Sequence, residues 1–467
     1  MNTTDSPKKI NDLPPSRQDS SAGVRVGHAK ASDLNFDKWR NPELIRHTKS
    51  ADRLVNLERA YEVMDRNGLA GIVASTPLNI YYLSSHGGIT QWMGRPFTSF
   101  AFLPRDENAS PALIMPHFNL YHLDYRPTWM PSVQPYSMPL LSEDGQLEWD
   151  DEGSLRATQS ASIWPVREGS LNKRDHTLLA IFAEYQGKMS ANAIYALKKA
   201  IVEGGAKGGA VGFDDPRLGH WLKDAGLSEM STVDATNIFK EIRMVKTSPE
   251  VELLRAAAVK NEEALDYAIE QIAPGVPLSE VERAHAQKWG ELDGRGKWLI
   301  ANINGLNSGE VEVGDFMKLD SVGVYRGYHG DVGRTVMVGY PPDELVRRIE
   351  ADTKCAKVVY DSIRPGMLFS EATSIFISLM KDEGFAAMAA PHNVGLEHTD
   401  QPFTALGHIP ESVGNDFTFE NGTVFTLDMP HNEIGWGTTH VEDMMLVHEN
   451  GCEALSSMDT SLRIRPA

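Results

Sequence analysis

Residues 316–338 read FMKLDSVGVYRGYHGDVGRTVMV. An apolar run enters Asp320, a turn rich in Gly, Tyr and Arg follows, and Asp331 precedes Arg334, Thr335 and a second apolar run. The pattern predicts a β-hairpin with two acids facing one site, because side chains two apart share a face of a strand. Gly323, Gly327 and Gly330 suit a turn and close backbone approach. An unpaired carboxylate inside an apolar strand costs several kcal/mol. Two convergent acids therefore share a proton or hold a cation. On this stretch alone, an Asp320 that caps a strand end and an Asp331 that pairs with Arg334 explains the pattern equally well.

Three later segments favour the cation. PHNVGLEHTDQP, residues 391–402, offers His392, then His398 and Asp400. TVFTLDMP, residues 423–430, is a β-rich run ending on Asp428. TTHVEDMMLV, residues 438–447, leads from Glu442 into an apolar strand. Four strand contexts thus deliver one acid each, and one loop delivers an imidazole. Such an oxygen-rich set suits divalent Mn, Fe, Co or Zn, with a carboxylate bridging two ions. Acids are needed because they balance the cations' charge.

Working outward, residues 1–34 are polar and aperiodic and are expected to form a loose arm. Helical spacing of Leu54, Leu57, Ala60, Tyr61 and Met64 predicts a helix across 50–67, closed by Gly68. The strand patterns AGIVAST, FTSFAFLP and ALIMP follow, and a second helix–strand round runs from Arg174 to Asp214. Alternation of this kind predicts an α/β domain over 35–240. The aromatic stretch around Trp92, Phe97, Tyr121 and Tyr125 reads first as core or subunit contact, with Trp92 as a candidate substrate contact. Thr247 with Glu250 forms a capping box, and Pro249 fits a first helical turn. A boundary is therefore expected near 240, with a catalytic domain over 241–467. His285, on the next helix, reads as a surface residue, Cys355 as a core thiol and Glu371 as a helix cap.

Composition narrows the function. The net charge of -19 over 467 residues argues against a nucleic-acid partner. Two cysteines, Cys355 and Cys452, supply no disulfide framework. No apolar run approaches the roughly 18 residues of a membrane span, and no signal-peptide core opens the chain. A cytoplasmic protein without a membrane partner is expected.

The order and setting of Asp320, Asp331, His392, Asp428 and Glu442 resemble the metal pentad of the pita-bread superfamily, peptidase family M24. That superfamily includes Xaa-Pro aminopeptidase, prolidase, creatinase and a dimethylsulfoniopropionate lyase branch. The step from Asp320 to Asp331 with the following GRT carries the resemblance, as do RMVKTSPEVELLR and PLNIYYLS. It implies an α/β creatinase-like domain followed by an α+β pita-bread catalytic domain. It also implies two divalent metal ions, a metal-activated water, a small amide or dipeptide substrate and a homodimer.

The sequence departs from the pattern in several places. The third acid is usually Glu, whereas Asp428 is one methylene shorter, with Glu433 as a nearby substitute. No histidine precedes Asp320 between Ile300 and Leu319. The second histidine usually lies seven residues after the ligand histidine; here that position is Thr399, and His398 comes one residue early. His440 stands where Arg is usual. His398, His440 and Asp400 are therefore the expected proton-handling groups, and His329, which shares a strand face with Asp331, is an expected substrate contact. The missing histidines leave a second reading open, in which His398 or Asp400 acts as base for elimination on a small carboxylate. A non-catalytic binding module is the third.

Overall fold

The computed structural model describes residues 35–45, 52–89, 93–94, 97–137, 150, 153, 164–402 and 416–467. The expected arm over 1–34 and the candidate Trp92 lie outside the described residues.

The N-terminal half is built on one six-stranded sheet. Its strands are β1 (Gly71–Ala74), β2 (Phe100–Pro104), β3 (Ala112–Pro116), β4 (Ser132–Tyr136), β5 (Ala210–Phe213) and β6 (Ser231–Asp234), in the order β4-β3-β2-β1-β5-β6. The first helix, α1 (Leu57–Arg66), is shorter than the periodicity suggested. Asn56 stops it early, because its side chain accepts from the Arg59 amide. PLNIYYLS forms helix α2 (Pro77–Ser84). Asp214 directly follows β5. It accepts from the amides and hydroxyls of Ser75 and Thr76 and from Asn79 Nδ2, tying α2 to the sheet.

The C-terminal half carries two further sheets. The hairpin forms as β8 (Phe316–Tyr325) and β9 (Tyr328–Val338), flanked by β7 (Arg295–Ile303) and by β15 (Arg463–Arg465). Its two-residue turn is Arg326-Gly327, both at positive φ, the geometry that keeps right-twisted strands paired. The other sheet runs β10 (Ala390–Asn393), β11 (Val424–Glu433), β13 (Met444–His448) and β14 (Gly451–Ala454), with β12 (Gly437–Val441) paired to the outer part of β11.

Helix α7 (Ser248–Glu270) opens with the Thr247–Glu250 capping box. It lies across β8 and β9, and Gly330 lets the hairpin approach, since a Cβ there would strike the Ala257 carbonyl. Between α2 and α7 the described residues include the α-helices α3 (Lys173–Tyr185), α4 (Ala193–Glu203), α5 (Arg217–Asp224) and α6 (Thr236–Arg243). After α7 comes α8 (Leu278–Glu291), then α9 (Asp343–Ser362) and α10 (Phe369–Asp382), which pack beside the second sheet. One apolar core runs from α1 and the first sheet into Leu254, Tyr328, Val394 and Val424, so the halves share buried surface.

His285 corrects the expectation of a surface residue. It is buried, with Nε2 2.8 Å from Ser321 Oγ and 3.1 Å from Trp289 Nε1. Its period places it on the helix face that meets β8, and burial lowers its pKa to about 4. Cys355 is buried, and the Glu371 carboxylate accepts from the Leu368 amide.

Candidate metal centre

Strand registers bring the acids together. Asp320 on β8 faces Gly333 on β9, and Asp331 lies two residues before that glycine on the same face. Gly333 and Glu442 exchange backbone hydrogen bonds of 3.2 and 3.1 Å, joining the hairpin to the segment after β12. In the other sheet His392 faces Thr426, and Asp428 lies two residues further along β11. Asp428 and Glu442 flank the Met429–Val441 pair, so the next step in register opposes them. Five side chains from two sheets thereby converge.

Ligand atoms form three overlapping groups: Asp320, Asp331 and Glu442; His392, Asp428 and Glu442; and Asp331, His392 and His398. Within each group the atoms lie within 4.8 Å of one another. His392 Nε2 is 3.7 Å from Asp331 Oδ2 and 3.8 Å from Glu442 Oε1. Arg334 does not neutralise Asp331. Its guanidinium bonds Asp443 and the carbonyls of Gly333 and Glu442, which disposes of the simple Asp331–Arg334 pair.

The acids lie deep and strain against one another. Burial, then Asp320 and Asp428, push Asp331 far above the ordinary carboxylate range. Burial, then Asp331 and Asp320, do the same to Glu442. Burial and Glu442 lift Asp428 to about 7. Burial, then His398, drives the His392 pKa down to about 3, so this imidazole is neutral and able to donate a lone pair. Both oxygens of Asp331 and Asp428 Oδ1 are buried without hydrogen-bond partners among the described residues. Orphaned acceptors, mutual repulsion and a neutral imidazole fit divalent cations, which would replace the shared protons.

The remaining candidates separate by place. His440 is buried on β12, with Nε2 3.0 Å from Glu442 Oε2 and 3.5 Å from Asp428 Oδ1. His398 Nε2 lies 3.0 Å from Asp331 Oδ2. Glu433, the possible stand-in for Asp428, points away and meets His431 at 3.3 Å. The His329 ring is buried, and its amide and Nδ1 lie 2.9 and 3.1 Å from the Gly395 carbonyl, so it supports that loop.

Asp400 is also corrected. Its carboxylate is held by Arg243 at 2.8 Å and by Lys246 at 3.4 Å, all three buried. Burial alone would raise its pKa, but the two cations outweigh burial and hold it below the ordinary value. A carboxylate so held is a poor base. It acts as an anchor for the 394–400 loop: Arg243 also bonds Asn79 and Glu397, and Lys246 donates to Asn393 Oδ1 at 2.7 Å.

Sequence reasoning missed four participants. Trp298 Nε1 lies 3.4 Å from Asp320 Oδ1, and its ring packs edge-on to His398 at 5.1 Å. Thr426 Oγ1 is 3.0 Å from His392 Nε2. Arg243 and Lys246 were read only as part of the RMVKTSPEVELLR motif. Strand alternation placed Thr426 on the Asp428 face and so signalled it; Trp298 depended on the β7–β8 register, which no local pattern sets.

Comparison with known proteins agrees with this geometry. Residues 252–449, which hold the whole acid and imidazole set, match metallopeptidase family M24. The Xaa-Pro dipeptidase of Pyrococcus furiosus is 26% identical over 257 residues, 52% of this chain and 71% of the relative. The Xaa-Pro dipeptidase of Lactobacillus delbrueckii subsp. lactis is 23% identical over 426 residues, 88% of this chain and 99% of the relative. The crystal structure of dipeptidase PepE from Mycobacterium ulcerans superposes with a TM-score of 0.61 at 19% identity, covering 88% of this chain and 97% of that one. The segment that matches metallopeptidase family M24, residues 252–449, is thus the one that carries the five converging candidate ligand residues.

Proposed function

We propose that this chain is a prolidase-like hydrolase that cleaves the amide bond of a dipeptide ending in proline, using two divalent metal ions. The observation that carries the reading is the overlap of the three ligand groups. Asp331, His392 and Glu442 each belong to two of them, the arrangement that two adjoining cations need. When bound, the ions supply Lewis acidity toward the scissile carbonyl and lower the pKa of a water.

The chain's own groups supply the rest. Asp320, Asp331, Asp428 and Glu442 set the charge of the site and, with His392, would hold the ions. His440 Nε2 sits against Glu442 and fixes that carboxylate's orientation. Trp298, partly exposed beside His398, forms an apolar wall for the substrate side chain. The elimination reading loses one of its two bases, because Asp400 is tied to Arg243 and Lys246.

We further propose the domain division near residue 240, a homodimer and a cytoplasmic location. Among the described residues no helix is long and apolar enough to cross a membrane. The test is incubation of Mn- or Co-loaded protein with Xaa-Pro dipeptides and quantification of free proline. Proline release that stops on chelation supports the reading. An unsaturated product without new amine from small carboxylates, with no proline released, overturns it.

A further inference from the structure

We propose that His398 is itself a metal ligand, so that one of the two cation positions is held by two imidazoles and Asp331. The proposal rests on the dinuclear reading above and departs from it in the role of this residue, which the sequence placed among proton-handling groups.

Three observations converge. First, the contact between His398 Nε2 and Asp331 Oδ2 is 3.0 Å, yet Asp331 Oδ2 has no hydrogen-bond partner among the described residues. The two atoms lie close but out of line for a hydrogen bond. With metal–ligand bonds of about 2.1 Å, two ligand atoms at right angles stand roughly 3.0 Å apart, and at a tetrahedral angle roughly 3.4 Å. The observed spacing is the edge of a coordination shell, and His392 Nε2, 3.7 Å from the same oxygen, closes the triangle.

Second, the other nitrogen of His398 is occupied. Nδ1 lies 3.3 Å from Thr399 Oγ1, and the ring packs edge-on against Trp298 at 5.1 Å. A ligating imidazole is commonly fixed in this way, with its distal nitrogen hydrogen-bonded and its plane held by packing.

Third, the loop that presents His398 is rigid. Asp400 Oδ2 accepts from the Leu396 amide at 3.1 Å, and the Asp400 amide donates to the Asn393 carbonyl at 2.7 Å. Gly395 has no room for a Cβ beside the Asp400 carboxylate. The one-residue shortening from His392 to His398 therefore directs the second imidazole inward, onto Asp331. A position with two nitrogens and one oxygen favours Co(II), Zn(II) or Fe(II) over Mn(II) and Mg(II).

The test uses the full chain saturated with Co(II), with X-ray absorption to count imidazoles per ion and equilibrium dialysis to measure affinity. Two ions per chain with an average of one imidazole per ion are expected. His398→Ala should halve the imidazole count and weaken one ion by about tenfold or more. Half an imidazole per wild-type ion overturns the proposal while leaving the dinuclear reading intact, and needs no variant. An average of one imidazole that His398→Ala leaves unchanged also overturns it, and assigns the second nitrogen to another histidine. Absence of Co(II) binding overturns both readings.

Discussion

Gly333 and the His440 ring compete for one space: a Cβ on Gly333 would fall inside the imidazole. The glycine is there for room, because its backbone is not among those at positive φ. Gly333→Ala should displace His440 from Glu442 and destabilise the protein by about 1–3 kcal/mol, the usual cost of overpacking. The double variant Gly333→Ala/His440→Ala should recover much of that loss in urea unfolding. A double variant no more stable than the single one would show that the crowding is relieved elsewhere.

Asp331 takes part in two of the three ligand groups and has no other partner for its oxygens. Asp331→Asn keeps the shape and removes the charge. Bound metal should fall to one ion per chain or fewer by elemental analysis. Peptide hydrolysis should fall by more than about a hundredfold, beyond the cost of altering an outer-shell partner. Two ions and full activity in this variant would remove Asp331 from the centre.

Chelation should make stability depend on pH in a defined direction. Asp331 and Glu442 are raised well above their ordinary values and Asp428 to about 7, whereas unfolded carboxyls titrate near 4. Between those limits the stripped native state retains protons that the unfolded chain has released. Its stability is therefore highest on the acid side and is lost as pH rises through about 7. Metal binding runs the other way, because ligands must be deprotonated. An ion at about a hundredfold above its dissociation constant adds about 2.7 kcal/mol. Urea midpoints with and without chelator should diverge from about pH 5.5 to about pH 8. A gap that narrows over that range contradicts the assignment of these acids.

Arg243 and Asp400 form a pair in which each side chain is 1% exposed. Arg243→Met leaves Asp400 buried with Lys246 alone, 3.4 Å away. Breaking such a pair costs about 3–5 kcal/mol, since the remaining charge stays desolvated. The loop carrying His398 should loosen as well, visible as faster amide exchange over 394–400. A loss below about 1 kcal/mol would mean that water reaches the carboxylate in the variant.

How legible the molecule was in its sequence depended on distance along the chain. The hairpin followed from local alternation and from Gly327, because both signals lie within the same 23-residue stretch of the sequence. The four converging acids were found because each lies in or beside an apolar strand pattern, where an ionisable group needs a cause, and His392 because it follows the same order along the chain. Asp400 misled because its sequence neighbours, His398 and Thr399, suggest chemistry, whereas its charge is balanced by residues 157 and 154 positions away. His285 misled for the same reason: its partner Ser321 lies on another element, β8. Trp298 was invisible because register between β7 and β8 is set by packing and by the shift between Gly296 and Trp298.

The anchoring of Asp400 also bears on what counts as the smallest complete unit. The match to the family model begins at residue 252, but the cations that neutralise this carboxylate are Arg243 and Lys246. A polypeptide cut at 252 would inherit every side chain proposed to face the ions. It would lose the counter-charges of the loop that carries His398, and with them the capping residues Thr247 and Glu250 that start α7. The family pattern marks where the catalytic half becomes recognisable; charge balance marks where it becomes self-sufficient, and the second border lies upstream of the first.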